Sequence, residues 1–195
     1  MLTSIMKKFS FTLLILLLAA NTIYSQRTKS SLSAGQQVNA EKGLKDNRYF
    51  FYFIDSSITN FGNDEQKKLF KEAIQRDMLS QMLYLKFFFS DSYKEIRKAQ
   101  KILISLYRQL LIYDINNTVN LLKSFAPEVI KSKNFRAKHY LRLGFRDAAV
   151  AKIKMGMADN YREDLYSMRL YEYVRAIKKA KHGKRYAFYA ALEAG

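Results

Sequence analysis

The chain has 195 residues, 49% of them hydrophobic and 14% aromatic, with 34 Lys and Arg against 17 Asp and Glu for a formal net charge of +17. So much apolar content excludes bulk disorder, and the length suits one domain with a real core. The lack of cysteine excludes disulfide scaffolds, thiol catalysis and cysteine-based zinc sites, while a single proline and seven glycines exclude a turn-dense all-β fold.

Taken in chain order, Met1 to Gln26 reads as an export signal. Lys7 and Lys8 form a basic start, and Phe9 to Ala20 is an uncharged stretch of 12 residues. A helix crossing a hydrocarbon core needs roughly 20 residues, so the stretch fits a signal segment cleaved after Ser25, with an uncleaved anchor as the alternative. Cleavage removes two lysines and no acid, leaving +15 on 170 residues in a periplasm or outside the cell. Residues 26–38, polar and rich in Ser and Gln, read as a flexible leader. Residues 39–195 read as a single helical domain, with no transmembrane segment in the mature chain.

Five adjacent aromatics open the block Tyr49 to Ile54, expected as a buried helix or an irregular packed segment because no partner strand exists. Asn63 and Asp64 offer a cap for a helix with the stripe Phe70, Ile74, Met78 and Leu85, ending near Phe88. A break at Ser90 to Ser92 follows, with Ser92 and Glu95 spaced as a capping box. Next, Ile96, Ala99, Leu103, Leu106, Leu110 and Tyr113 share one helix face, and Ile102, Ile104 and Leu111 make a second face apolar. A helix greasy on two sides should be central. Asn116 to Thr118 is expected to start a short helix ending near Phe125, and Pro127 to sit in the first turn of another. Gly144 reads as a stop and Arg146-Asp147 as a restart toward Met157. Asp159 should cap the longest helix, with Tyr166, Leu170, Tyr173, Val174 and Ile177 as its stripe and Gly183 as an interruption. The predicted class is all-α, a helical bundle or a short stack of antiparallel helical hairpins.

Catalysis finds little to work with. His139 and His182 each follow a lysine, which opposes both protonation and metal binding, and neither has an acid at i+3 or i+4. The pairs Asp91/Glu95 and Glu163/Asp164 sit where helix starts favour negative charge. Gly144, Gly156 and Gly183 stand singly, so no glycine loop can cradle a phosphate. No enzyme activity, cofactor or metal is expected.

Charge asymmetry is the positive signal. Phe125 to Gly195 carries 16 Lys and Arg against 7 acids, whereas Gln26 to Asp64 carries 5 against 4. The densest run spans Arg175 to Arg185 and is interleaved with Tyr171, Tyr173 and Tyr186. Nucleic-acid phosphates, anionic envelope material and an acidic protein all suit such a surface. Export disfavours nucleic acid, and abundant Tyr and Arg favour a protein. The candidate partner-binding residues are Tyr171, Arg175, Lys178, Lys179 and Arg185. Phe87 to Phe89 and the Tyr49 block supply more rings than a small bundle buries easily, so both core packing and docking, self-association included, are open to them.

The words Tyr140 to Lys152 and Met157 to Lys181 also resemble a group of exported helical spirochaete proteins associated with periplasmic flagella, including the flagellar coiling proteins. The likeness spans about Lys133 to Leu192. It implies a non-enzymatic accessory of the flagellar sheath or motor periphery that binds other filament proteins, and it carries no catalytic residues.

Overall fold

The computed structural model describes residues 34–195. The expected signal, its cleavage after Ser25 and leader residues 26–33 lie outside the described residues. Within them the fold is all-α, as five helices: α1 (residues 34–61), α2 (Asp64–Leu85), α3 (Phe89–Lys131), α4 (Phe135–Asn160) and α5 (Tyr166–Ala194). Residues 34–38, assigned to the leader from their polarity, are already part of α1.

In α1, Ala40, Gly43, Asn47, Phe50, Ile54 and Ile58 are buried at three- and four-residue steps. This resolves the aromatic block as helix, with Phe50 inside and Tyr52 outside. A two-residue turn leads to α2, whose start is a true capping box. The Asn63 side chain accepts from the Gln66 amide at 2.8 Å, and the Gln66 side chain accepts from the Asn63 amide at 3.1 Å. The 43 residues of α3 extend about 65 Å at 1.5 Å per residue and form the spine. Its first half joins Phe50, Phe70, Leu170 and Tyr173 in one apolar cluster, and its last third joins Leu141, Ala148 and Ala187 in another. Successive helices run antiparallel, as Arg108 of α3 reaching Asp159 at the end of α4 shows, together with Asn134 before α4 reaching Glu193 at the end of α5.

Several expected boundaries move. Asn116, Thr118 and Pro127 all lie inside α3 rather than at helix ends. Pro127 removes the amide that would donate to the Lys123 carbonyl, a cost overridden by the packing of Leu122 and Val129 on either side of it in the second apolar cluster. Gly144 and Gly183 do not stop or interrupt α4 and α5; they are where the two helices touch. A Cβ on Gly144 would lie 3.2 Å from the Gly183 carbonyl oxygen, and one on Gly183 would lie 3.0 Å from that of Gly144. Asp159 caps nothing. It accepts from Arg108 and Tyr173, while Asn134 caps α4 by accepting from the Arg136 amide at 2.8 Å. The longest helix is α3, not α5.

The α2–α3 junction also shifts, to Lys86–Phe88. Ser92 and Glu95 form no box: the Ser92 hydroxyl donates to the Ser80 carbonyl at 2.8 Å, and Glu95 pairs with Arg76 and Lys98. Here α2 ends in a Schellman turn. The Phe87 amide donates to the Tyr84 carbonyl and the Phe88 amide to that of Leu83, both at 3.0 Å. The position is usually glycine, yet Phe87 holds it with φ 62°, a left-handed conformation that costs a bulky residue about 1–2 kcal/mol.

Candidate binding face on α1 and α5

The stripe Leu170, Tyr173, Val174 and Ile177 turns inward on α5, as its spacing predicted, so the residues between point out. From Tyr171, steps of four, three, four and three reach Arg175, Lys178, His182 and Arg185, one line along the exposed side of the helix. Four of the five candidate residues therefore share a face. Lys179 does not: it turns toward α4, its ammonium 3.6 Å from the buried Asp147 carboxylate. It meets there an oxygen that lacks any hydrogen-bond donor among the described residues.

Alongside the stripe lies α1, contributing residues 120 or more positions away in sequence. Tyr49 stacks on Tyr171 with ring centroids 5.8 Å apart, and Phe50 meets the same ring edge-on at 4.8 Å. The Tyr171 hydroxyl donates to Asp46 at 2.7 Å. Burial, and then that carboxylate, push its pKa up to about 12, so the phenol stays a neutral donor. Tyr171 is thus pinned as the floor of the face rather than left mobile. Lys178 hangs over the Phe53 ring at 5.8 Å with its ammonium 3.5 Å from the Tyr49 hydroxyl. Arg175 is partnered by Glu172, whereas Arg185 has no ion-pair partner among the described residues. Tyr52, 86% exposed, projects from the next turn of α1.

Lys181, also over Phe53 at 5.8 Å, leads into a cleft of about 510 Å³ lined by Phe53, Phe61, Leu110, Ile177, Asp114 and Lys184 among others. Burial pushes the Asp114 carboxyl up, opposed by Lys181 and Lys184. Sequence reasoning did not place Tyr49, Tyr52, Phe53 or Lys181 at this face. The aromatic block was visible, but nothing local tied it to α5. Among the described residues there is no cluster of three metal-ligating side chains, and no helix is long and apolar enough to cross a membrane.

The described residues thus form a helical body with a ring-floored cationic face along α1 and α5. The chain belongs to the family described as surface protein adhesin OmpL37, which matches residues 34–195, the whole of the described structure. No curated protein and no solved structure matches it. The match runs through both halves of the chain and gives no support to the flagellar coiling resemblance drawn from the last third.

Proposed function

We propose that the protein is an exported, non-enzymatic adhesin that holds an acidic protein partner against the α1–α5 face. The observation that carries this reading is the line Tyr171, Arg175, Lys178, Arg185, floored by the Tyr49–Tyr171 stack and edged by exposed Tyr52. Rigid rings supply contact area at small entropy cost, and flanking cations steer an acidic surface into place. The family description supports action at the cell surface over a periplasmic flagellar station. Flagellar components remain partners only on the strength of the C-terminal word order, and anionic envelope material, wall polymer or lipid headgroups, is the rival occupant of the same face.

A photo-crosslinker placed at His182 and activated on intact cells tests the assignment. The expected product is a discrete crosslink to an acidic protein, lost when Arg175, Lys178 and Arg185 are all changed to Glu. Charge reversal at three sites should weaken binding by about a hundredfold and remove most of its salt dependence. Crosslinks to polymer alone, or to flagellar filament protein, would replace the proposed partner by that one.

A further inference from the structure

A second surface, on the other side of α1, has no part in that face. The inward side of α2 is Phe70, Ala73, Asp77 and Ser80. Of the apolar stripe expected from the sequence, only Phe70 is among these; Ile74, Met78 and Leu85 point the other way, joined by Met82. Ile74, Met78, Met82 and Leu85, at steps of four, four and three, are all exposed, and Met78 and Leu85 are 59% and 75% so. The line runs directly into the α2–α3 turn, where Phe87 and Phe88 are 78% and 57% exposed.

At that turn the backbone and the side chain disagree. Glycine would satisfy the left-handed C-terminal position without strain, but Phe87 occupies it, the one non-glycine residue with positive φ among those described. Little inside the protein compensates. The Phe87 ring touches Phe89 edge-on at 6.0 Å and otherwise faces outward. A strained bulky residue aimed at solvent is a feature to be explained by something outside the chain.

The surroundings indicate what that is. Lys67 and Lys71 continue the α2 line on its other end, and Lys86 sits at the turn itself, all exposed. Across the groove, α1 sets Lys45 and Arg48 beside Ile74, Met78 and Leu85. Two acids also line this groove. Glu41 is exposed, whereas Asp77 is buried and occupied by Asn47 and Gln81, each donating at 2.7 Å. The result is an exposed apolar line, running from the groove to the projecting Phe87 and Phe88, with a cationic collar, in a body whose described residues carry 30 Lys and Arg against 17 acids.

We propose that this edge docks on an anionic lipid surface, with Leu85, Phe87 and Phe88 entering the interface and Lys45, Arg48, Lys71 and Lys86 at headgroup level. A fluid interface accepts exposed apolar side chains of any outline without a matching pocket, and long cationic side chains reach up to phosphates while their stems stay apolar. A second copy fits less well, because a two-fold contact through this edge would set the same cations against one another. The α1–α5 face would then remain free, since Arg48 and Phe51 of α1 turn to the groove while Tyr49 and Phe53 meet α5.

Residues 26–195, which include every described residue and leave out the apolar signal stretch, are the material for the test. Flotation with vesicles of phosphatidylglycerol and phosphatidylcholine should carry the protein, and pure phosphatidylcholine should carry far less. Phe87→Gly should partition about tenfold more weakly while melting at the same or a higher temperature, a pair of opposite changes that a packing role cannot produce. Leu85→Ser, on an exposed side chain, should weaken partition similarly. Arg175→Glu with Lys178→Glu should leave partition unchanged. Absence of flotation, or full flotation of both Phe87→Gly and Leu85→Ser, overturns the proposal. So does loss only in the α5 double variant, which would assign lipid to the other face. A concentration-dependent dimer abolished by Leu85→Ser, with no vesicle binding, would assign the edge to a second copy instead.

Discussion

Glu95 shows how a residue's role depends on what the fold brings to it. Its carboxylate accepts from Lys98 at 2.6 Å and from Arg76 of the neighbouring helix at 3.2 Å. Burial works to raise its pKa, but the hydrogen bonds and charges of Lys98 and Arg76 outweigh it and hold the group below its ordinary value of 4.5. A depressed carboxyl stabilises the folded state fully above the unfolded pKa, and that contribution fades as pH falls through the lower folded value. Glu95→Gln should therefore lose about 1–3 kcal/mol at neutral pH, measured by urea unfolding. The gap from wild type should close on acidification below about pH 4.5. A gap that stays constant in acid would show that the ion pairs are not its source. From the sequence, Glu95 stood three places after Ser92 and read as half of a capping box. Spacing cannot weigh that role against a pairing with Arg76, because Arg76 arrives only when the hairpin closes. Lys179 was misplaced for the same reason: its neighbours in sequence are cations of the exposed line, and its partner Asp147 sits on another helix.

At the scale of the helix, periodicity was legible and punctuation was not. The inward stripes of α3 and α5 were readable from Ile96 to Leu110 and from Leu170 to Ile177, since three- and four-residue recurrence belongs to the helix itself, but Tyr113, expected to end the α3 stripe, is exposed. Gly144, Gly183, Pro127 and Asn116 were read as ends, and all four are interior. A glycine in a helix costs only about 1 kcal/mol relative to alanine, which close packing readily overrides. The missing Cβ at Gly183 also leaves room for Thr118 of α3, whose hydroxyl donates to the Ala180 carbonyl at 3.1 Å. Gly183→Val should force α4 and α5 apart and cost about 2–3 kcal/mol in denaturant titration, whereas Gly156→Ala, with open space around it, should be neutral or slightly stabilising. Equal effects of the two would mean that the crossing is not tight. In α2 the expected stripe splits: Phe70 faces inward, whereas the rest of it does not. The periodic line of Ile74, Met78 and Leu85 is real but faces outward, because Asp77 and Ser80 make the inward bonds.

Across the whole molecule, one buried polar chain ties four helices together. Asn47 of α1 donates to Asp77 of α2 at 2.7 Å and accepts from Gln100 of α3 at 3.0 Å, and Gln100 also donates to Ser167 of α5 at 3.1 Å. Such a chain specifies one relative placement of helices, since any slide leaves several polar groups unpaired in the interior. Asn47→Ala should cost about 2–4 kcal/mol and lower the melting temperature by roughly 5–15 °C, read by circular dichroism. A fall within a couple of degrees would mean that water takes over the vacated bonds. Composition and periodicity by themselves determined an all-helical body, a central third helix, the inward side of the last helix and a basic C-terminal face, because each depends only on which side chains recur along one chain direction. Tertiary packing decided where helices end, which apolar side of α2 is hidden, that Tyr49 and Tyr171 form one floor, and that Phe87 and Phe88 stand exposed at a strained turn. Those outcomes depend on contacts between residues far apart in sequence, whose combined free energy exceeds any local preference.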